Sequence, residues 1–338
     1  CESYPWVSTF HWFCLKWLRK HIDELGYSND FVIYDAQDQL SLVKKSMKTA
    51  NVNEEAFPPR ALLSHISGFK NDYLFARDIR LDNYAYGHQL KAAEVYPAYQ
   101  KALRDNNGLD FDDLLMLTVH LLRNHSSIKD YYNRRFRYLL VDEFQDTSLQ
   151  QYALLEALTS EWAEYNQTGP DLPKTVFLVG DGMQSIYAFR AAKVGLFLRA
   201  QQYGFAGLPV QSLALQQNFR SNSAIVEWNN HVFSEVFPKQ ADIGRGAVPY
   251  AASVAAKEST EQAVYCVAVN REDGAQAEAV AVLDIVQRTL RDSPSSSIAI
   301  LVRSRGHLQH ILPMLSANAV PWSGVDLQAL IDNPAVQD

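Results

Sequence analysis

The chain has 338 residues, 47% of them apolar and 20% charged, and a formal charge of −7. This is ordinary globular material, enough for about two or three domains, and its acidic balance speaks against a histone-like or repressor-like binder held by bulk positive charge. Cys1, Cys14 and Cys266 are far apart and odd in number, which suits neither a disulfide framework nor a zinc site and leads us to expect a reducing, cytoplasmic setting.

Thr9 to Leu25 reads as a helix, with Phe10, Phe13, Cys14, Trp17, Leu18 and Leu25 at helical spacing and Gly26 where a C-terminal cap belongs. Asp35 opens a second helix striped by Ala36, Leu40, Val43 and Met47, and Pro58-Pro59 precedes a third that turns Leu62, Leu63, Ile66 and Phe69 inward. A long helix over 88–105 carries Pro97, so residues 20–105 read as all-helical. After Asn106-Asn107-Gly108 the pattern changes: a helix over 110–123, a buried strand over 138–141, a helix over 148–160, a loop from Asn166 to Pro173 and a second buried strand over 175–179. Further strands are expected at 210–215, 263–269 and 297–302, helices at 193–203, 221–236, 275–291 and 305–317, and a loop over 238–260. Strands alternating with helices predict an α/β fold of doubly wound parallel sheets with an all-helical insertion. No apolar run approaches the length of a membrane span and no signal peptide is evident.

The chemistry collects at strand ends, where ligands of a doubly wound sheet bind. Val141-Asp142-Glu143-Phe144-Gln145-Asp146-Thr147 follows the apolar run Tyr138-Leu139-Leu140. Adjacent carboxylates at the end of a buried strand are costly without an occupant, and the usual one is a magnesium–nucleotide complex. Gly180 to Arg190 and Gln216 to Ser221 are two more polar clusters after expected strands. Together the three offer acid, amide and guanidinium, the groups that phosphoryl transfer uses to bind metal, orient water and neutralise charge. Lys16, Arg19 and Lys20 form one local basic cluster, and Lys129, Arg134, Arg135 and Arg137 another; each reads as a solvated face.

These strings, in this order, resemble the motifs of superfamily 1 DNA helicases of the UvrD/Rep/PcrA type. Val141–Thr147 resembles that family's Walker B motif, Gly180–Ala191 its third motif and Leu215–Ser221 its Gln-Asn-Tyr-Arg-Ser motif. Thr9-Phe10-His11 with Cys14-Leu15 and Leu18-Arg19, Leu109–Leu115, and Ile298–Gln309 resemble three further segments. The resemblance runs from about residue 7 to 325, and Phe189 and Phe219 bring it closer to the RecB/AddA branch. It implies ATP and Mg²⁺ as cofactors, single-stranded and duplex DNA as partners, 3′–5′ unwinding, RecA-like motor domains and no membrane. By the same resemblance Asp142 holds the magnesium and Glu143 is the general base. Gln184 meets the γ-phosphate, Arg220 neutralises it across a cleft, and Phe219 stacks on adenine. Tyr187 and Phe189 meet single-stranded bases, while Thr9 and His11 meet the DNA backbone. The bland readings of the same residues are a capped strand end, a loop amide, an interdomain salt bridge, core aromatics and a helix cap.

The implied division is a first RecA-like domain over 1–19 and 106–209, the helical insertion over 20–105 and a second RecA-like domain over 210–338. The family's phosphate loop belongs upstream of Thr9, and no Gly-x-x-x-x-Gly-Lys string occurs in the chain. The chain therefore reads as an internal fragment, expected to be inactive alone. A non-catalytic DNA-binding or subunit-contact module is the alternative, and partner subunits of a helicase–nuclease go with the RecB/AddA branch. An unrelated nucleotide enzyme such as a kinase would not explain Tyr187 and Phe189.

Overall fold

The computed structural model describes residues 5–188, 191–258, 264–268 and 274–324. Phe189 and the ends of the expected strand over 263–269 lie outside them. The chain divides into two compact units, Cys1–Ser259 and Thr260–Asp338.

In the first unit, helix α1 (Phe10–His21) starts on Thr9, whose side chain accepts the Trp12 N–H, and a short tighter turn over Ile22–Leu25 ends it on Gly26. Gly26 is left-handed, φ 73°, a conformation that costs glycine nothing. Strand β1 (Val32–Ile33) leads into α2 (Ala36–Thr49), where Asp35 and Asp38 form a reciprocal capping box. Helix α3 (Pro59–Asn71) has proline at its first turn, and α4 (His88–Asp105) runs through Pro97. Strand β2 (Gly108–Leu109) pairs parallel with β1, so the helices α2–α4 form one long crossover between two short strands. Their core is their own, built on Met47, Leu62, Tyr96 and Tyr99.

Helix α5 (Phe111–Asn124) opens on a capping box of Asp110 and Asp113, and α6 (Ser126–Arg135) follows. Helix α6 carries little apolar periodicity: Ile128 and Tyr132 are its buried apolar residues, four apart in a charged segment. Strand β3 (Tyr138–Val141), helices α7 (Leu149–Thr159) and α8 (Trp162–Gln167), and strand β4 (Thr175–Leu178) come next. β3 and β4 pair in parallel from Tyr138 opposite Thr175 to Val141 opposite Leu178. One face of this pair is covered: Leu139, Val141, Val176 and Leu178 pack with Phe144, Leu196 and Phe205. The other face is bare, with Tyr138, Leu140, Phe177 and Val179 all exposed.

Helix α9 (Val194–Tyr203) leads to β5 (Gln217–Asn222), α10 (Ser223–Val236) and β6 (Val254–Lys257). The strand expected at 210–215 is irregular, and the ladder starts later, with Gln217 opposite Val254. Leu213 and Leu215, within the expected strand, are exposed; the paired segment is polar and left no apolar alternation. The segment 238–260, read as loop, contains β6, which is too short and too alanine-rich to announce itself.

The second unit contains α11 (Gly274–Asp292) and α12 (Leu308–Ala317), packed through Ala279, Val286, Ile311 and Leu315. No strand forms over 297–302, nor over 264–268, the described part of the strand expected at 263–269. Neither segment belongs to any of the sheets formed by the described residues. The α/β class holds, with three two-stranded parallel pairs among the described residues. Among those residues no helix is long and apolar enough to cross a membrane.

Candidate functional site

The site is built where β3 and β4 end. Val179 N–H donates to Val141 O at 2.8 Å and Phe144 N–H to Val179 O at 2.9 Å, so the chain turns away from the sheet directly after Asp142-Glu143. The Glu143 N–H donates to Asp142 Oδ1 at 3.0 Å. Glu143 itself is left-handed, φ 53°, a conformation costing a non-glycine residue about 1–2 kcal/mol. Such strain persists only where surrounding contacts impose it.

Those contacts converge on Gln145, which is 1% exposed. Its Nε2 donates to Glu143 Oε2 at 2.6 Å and, more weakly, to Asp146 Oδ2 at 3.4 Å. Its Oε1 accepts the Asp181 N–H at 3.0 Å. Room for this amide comes from Gly180: a Cβ there would meet Gln145 Oε1 at 2.5 Å. Asp181 caps the next turn through the Met183 N–H at 3.0 Å and accepts from Gln184 Nε2 at 2.7 Å. Ser185 Oγ adds a bond to Asp146 Oδ1 at 3.2 Å. A chain of hydrogen bonds thus joins Glu143 to Gln145, Asp181 and Gln184, linking the two strand ends. The stretch before β6 is tied to the same loop, Ala251 N–H meeting Met183 Sδ at 3.3 Å.

Asp142 and Glu143 are both exposed, with acceptor oxygens free for a hard cation. Among the described residues no three His, Cys, Asp or Glu side chains are arranged to hold an ion by themselves. This donor set fits magnesium in its usual role, held by one or two carboxylates and completed by phosphate and water.

Of the other residues singled out by sequence, the side chains of Thr9, His11, Phe219 and Arg220 take no part in this hydrogen-bonded chain among the described residues. Thr9 caps α1, its hydroxyl oxygen 3.3 Å from the Trp12 nitrogen. His11 is half-buried with its ring edge-on to Phe111 at 6.0 Å, and burial lowers its pKa, which keeps it neutral near pH 7. Tyr187 is partly exposed on the loop after Gln184, and Phe189 lies outside the described residues. Phe219 and Arg220 are exposed on β5, and their side chains join none of the cluster's hydrogen bonds among the described residues. Gln145, Asp146 and Asp181 were in the quoted motifs but carried no role in the sequence reading. A buried amide between acids is visible only once both strand ends are placed.

A second buried polar cluster lies where the insertion meets α5. Lys70, at the end of α3, is fully buried and reaches Asp110 Oδ2 at 2.6 Å and Asp113 Oδ1 at 2.8 Å. Tyr99 donates to Asp110 at 3.0 Å, and Gln100 Nε2 to Asp113 at 3.2 and 3.3 Å. The Lys70 carbonyl accepts from Gln150 Nε2 on α7. Burial and the neighbouring Asp110 push Asp113 up to about 7 against the pull of Lys70. Burial opposes the Lys70 charge, but Asp110 and Asp113 outweigh it and raise its pKa.

Comparison with known proteins gives two family matches: the UvrD/REP helicase N-terminal domain over residues 2–203 and the UvrD-like helicase C-terminal domain over residues 213–338. The chain is similar to the ATP-dependent DNA helicase PcrA of Staphylococcus aureus, 30% identical over 337 residues, covering 98% of this chain and 42% of that protein. It is 32% identical over 340 residues to the protein of the same name from Staphylococcus epidermidis, again covering 98% and 42%. The chain therefore spans well under half the length of these relatives.

Proposed function

The chain belongs to the UvrD/REP helicase family, and from that premise we propose that it works as part of an ATP-dependent DNA helicase of 3′–5′ polarity. The observation that carries the reading is the bonded chain Glu143–Gln145–Asp181–Gln184. It ties a general base to the amide that would meet the γ-phosphate, so hydrolysis and the state of the loop bearing Tyr187 move together. Asp142 is the residue to hold magnesium, which when bound with nucleotide draws charge from the phosphate oxygens.

Glu143 takes the proton of the attacking water. Gln145 occupies its Oε2 at 2.6 Å, leaving Oε1 to face the water. Gln184 orients the same water and reports its departure to Asp181. Arg220 neutralises charge on the γ-phosphate as domains close, and Phe219 stacks on the adenine. Tyr187 and Phe189 hold bases by stacking, which grips without reading sequence; Thr9 and His11, a hydroxyl and a neutral imidazole, suit phosphate oxygens. In this reading residues 1–19 and 106–209 belong to one RecA-like domain of a doubly wound sheet, 20–105 to the insertion and 210–338 to a second such domain. The RecB/AddA branch, a partnering nuclease and a cytoplasmic setting belong to the same proposal.

The test is Glu143→Gln in the complete protein. DNA-stimulated ATP hydrolysis should disappear while nucleotide binding, followed with a fluorescent ATP analogue, stays within a few-fold. Hydrolysis near the normal rate would remove Glu143 from the role of base.

A further inference from the structure

Two basic clusters that the sequence presents as separate solvated faces become one surface on folding. Trp12, Lys16 and Lys20 recur every four residues and share an exposed face of α1. Lys16 Nζ lies 5.5 Å from the ring centre of Trp6 and 5.4 Å from that of Trp12. Helix α6 docks beside them, Tyr132 stacking on Trp17 at 3.6 Å and its hydroxyl meeting His21 Nε2 at 3.1 Å. This docking sets Lys20 Nζ 5.3 Å from the Tyr131 ring, while Arg135 donates to the Tyr131 hydroxyl at 3.2 Å. Tyr131, Arg134 and Arg135 line an open groove of about 510 Å³, together with Ser127 and the acid Asp130.

Other cations nearby are engaged. Lys129 pairs with Glu161 at 3.0 Å, and Arg19 donates to the Asn29 carbonyl at 2.7 Å over the Phe31 ring. Lys16, Lys20, Arg134 and Arg135 have no ion pair among the described residues, although the chain as a whole carries −7. Unpaired cations on one face repel each other and favour a polyanion that bridges them. The exposed rings of Trp12 and Tyr131 add a preference within polyanions. They can stack on unpaired bases, whereas the bases of a duplex already stack on each other.

We infer that the α1–α6 face is an additional contact for single-stranded nucleic acid, with phosphates on Lys16, Lys20, Arg134 and Arg135 and bases against Trp12 and Tyr131. The strip starts within a turn of Thr9, at Trp12, and reaches Lys20 about 12 Å further along the helix, so a strand passing Thr9 can continue down α1. The choice of nucleic acid over other polyanions rests on the helicase reading; the surface itself does not.

The experiment titrates a fluorescein-labelled oligothymidylate with the chain at several NaCl concentrations. Lys16→Glu, Lys20→Glu, Arg134→Glu and Arg135→Glu together should weaken binding about 10-fold or more. They should also flatten the log–log salt dependence by roughly 3, since four lost phosphate contacts count about 0.7 each. Trp12→Ala with Tyr131→Ala should weaken binding about 5-fold or more with little change in that slope. All six positions are exposed, and far-UV circular dichroism checks the fold. An unchanged salt slope after charge reversal overturns the inference. So does equal affinity for a duplex or for polyglutamate together with silent aromatic variants, which would make the face a general acidic-partner surface. Thr9→Ala with Tyr187→Ala separates this surface from the helicase path. Loss confined to that pair refutes the strip and leaves the path; loss confined to the strip does the reverse; loss in both supports both, and loss in neither refutes both.

Discussion

Replacing Lys70 by methionine should cost this protein more than any exposed ion-pair change. The ammonium is fully buried and meets Asp110 at 2.6 Å and Asp113 at 2.8 Å. Methionine matches the aliphatic stem but leaves two buried carboxylates without a cation. Removing one partner of a buried pair typically costs about 3–5 kcal/mol, most of it the penalty of the charge left behind. The remaining donors, Tyr99, Gln100 and backbone N–H groups of the capping box, place the expectation near the lower end, about 3 kcal/mol. The control is Lys101→Ala: Lys101 pairs with Asp105 at 2.5 Å, but both are exposed, and such a pair is worth about 0.5 kcal/mol or less. Urea melts followed by circular dichroism at pH 7.5 measure both. Adding Asp113→Asn to Lys70→Met should restore part of the loss, because it removes an uncompensated charge, and the Lys70→Met deficit should shrink as pH falls and the acids take up protons. A loss below about 1 kcal/mol, or a double variant weaker than the single, would refute the view that the charge balance of this cluster is what joins the insertion to α5.

The unmodified protein should show the same cluster in its pH dependence. Asp113 is held up at about 7, above its unfolded value, so the folded state binds this proton more readily; the stability it contributes is full at low pH, falls as pH rises from about 4 to about 7 and levels off beyond. Urea midpoints across that range that rose steadily after Asp113→Asn but not before would agree, and identical profiles would not. Gly180→Ala should displace Gln145, because the added Cβ meets its Oε1 at 2.5 Å; a loss of about 1–3 kcal/mol in thermal melts is expected, and an unchanged melting temperature would mean the amide is not held as described. Cys14 is buried with its thiol pushed up to about 12 by burial, whereas Cys266 is exposed. Iodoacetamide near pH 8, read by peptide mass spectrometry, should label Cys266 in the native protein and Cys14 only in urea.

Helix positions were legible wherever an end was marked chemically. Asp35, Asp110 and Ser148 each carry a capping partner three residues on, and the helices begin where those pairs say. Strand β3 was legible because an apolar run stops at two acids. Strand β5 was not, since its side chains are polar and its position depends on pairing with β6, a relation between residues nearly forty apart that no local pattern encodes. At the site, the acids stood out at the end of an apolar run, and Gln184 through the resemblance of the motif that carries it. What holds them, an amide admitted by a missing Cβ, is a fact of approach between two loops. Lys70 was similarly silent: on α3 it continues a helix, and its function as a counter-charge exists only after α5 has folded against it.

The uncovered side of the β3–β4 pair has a thermodynamic consequence for the chemistry on its rim. Two four-residue strands are marginal by themselves, and Tyr138, Leu140, Phe177 and Val179 each offer apolar area still in contact with water. Whatever shields those four side chains adds on the order of 1 kcal/mol apiece, and adds it to the strands that run into Asp142 and Glu143 and, past Val179 and Gly180, into Asp181. A molecule or segment settling on that back surface therefore sharpens the placement of Asp142 and Glu143 without touching either. By linkage, whatever grips those acids from the front also tightens the hold on the back.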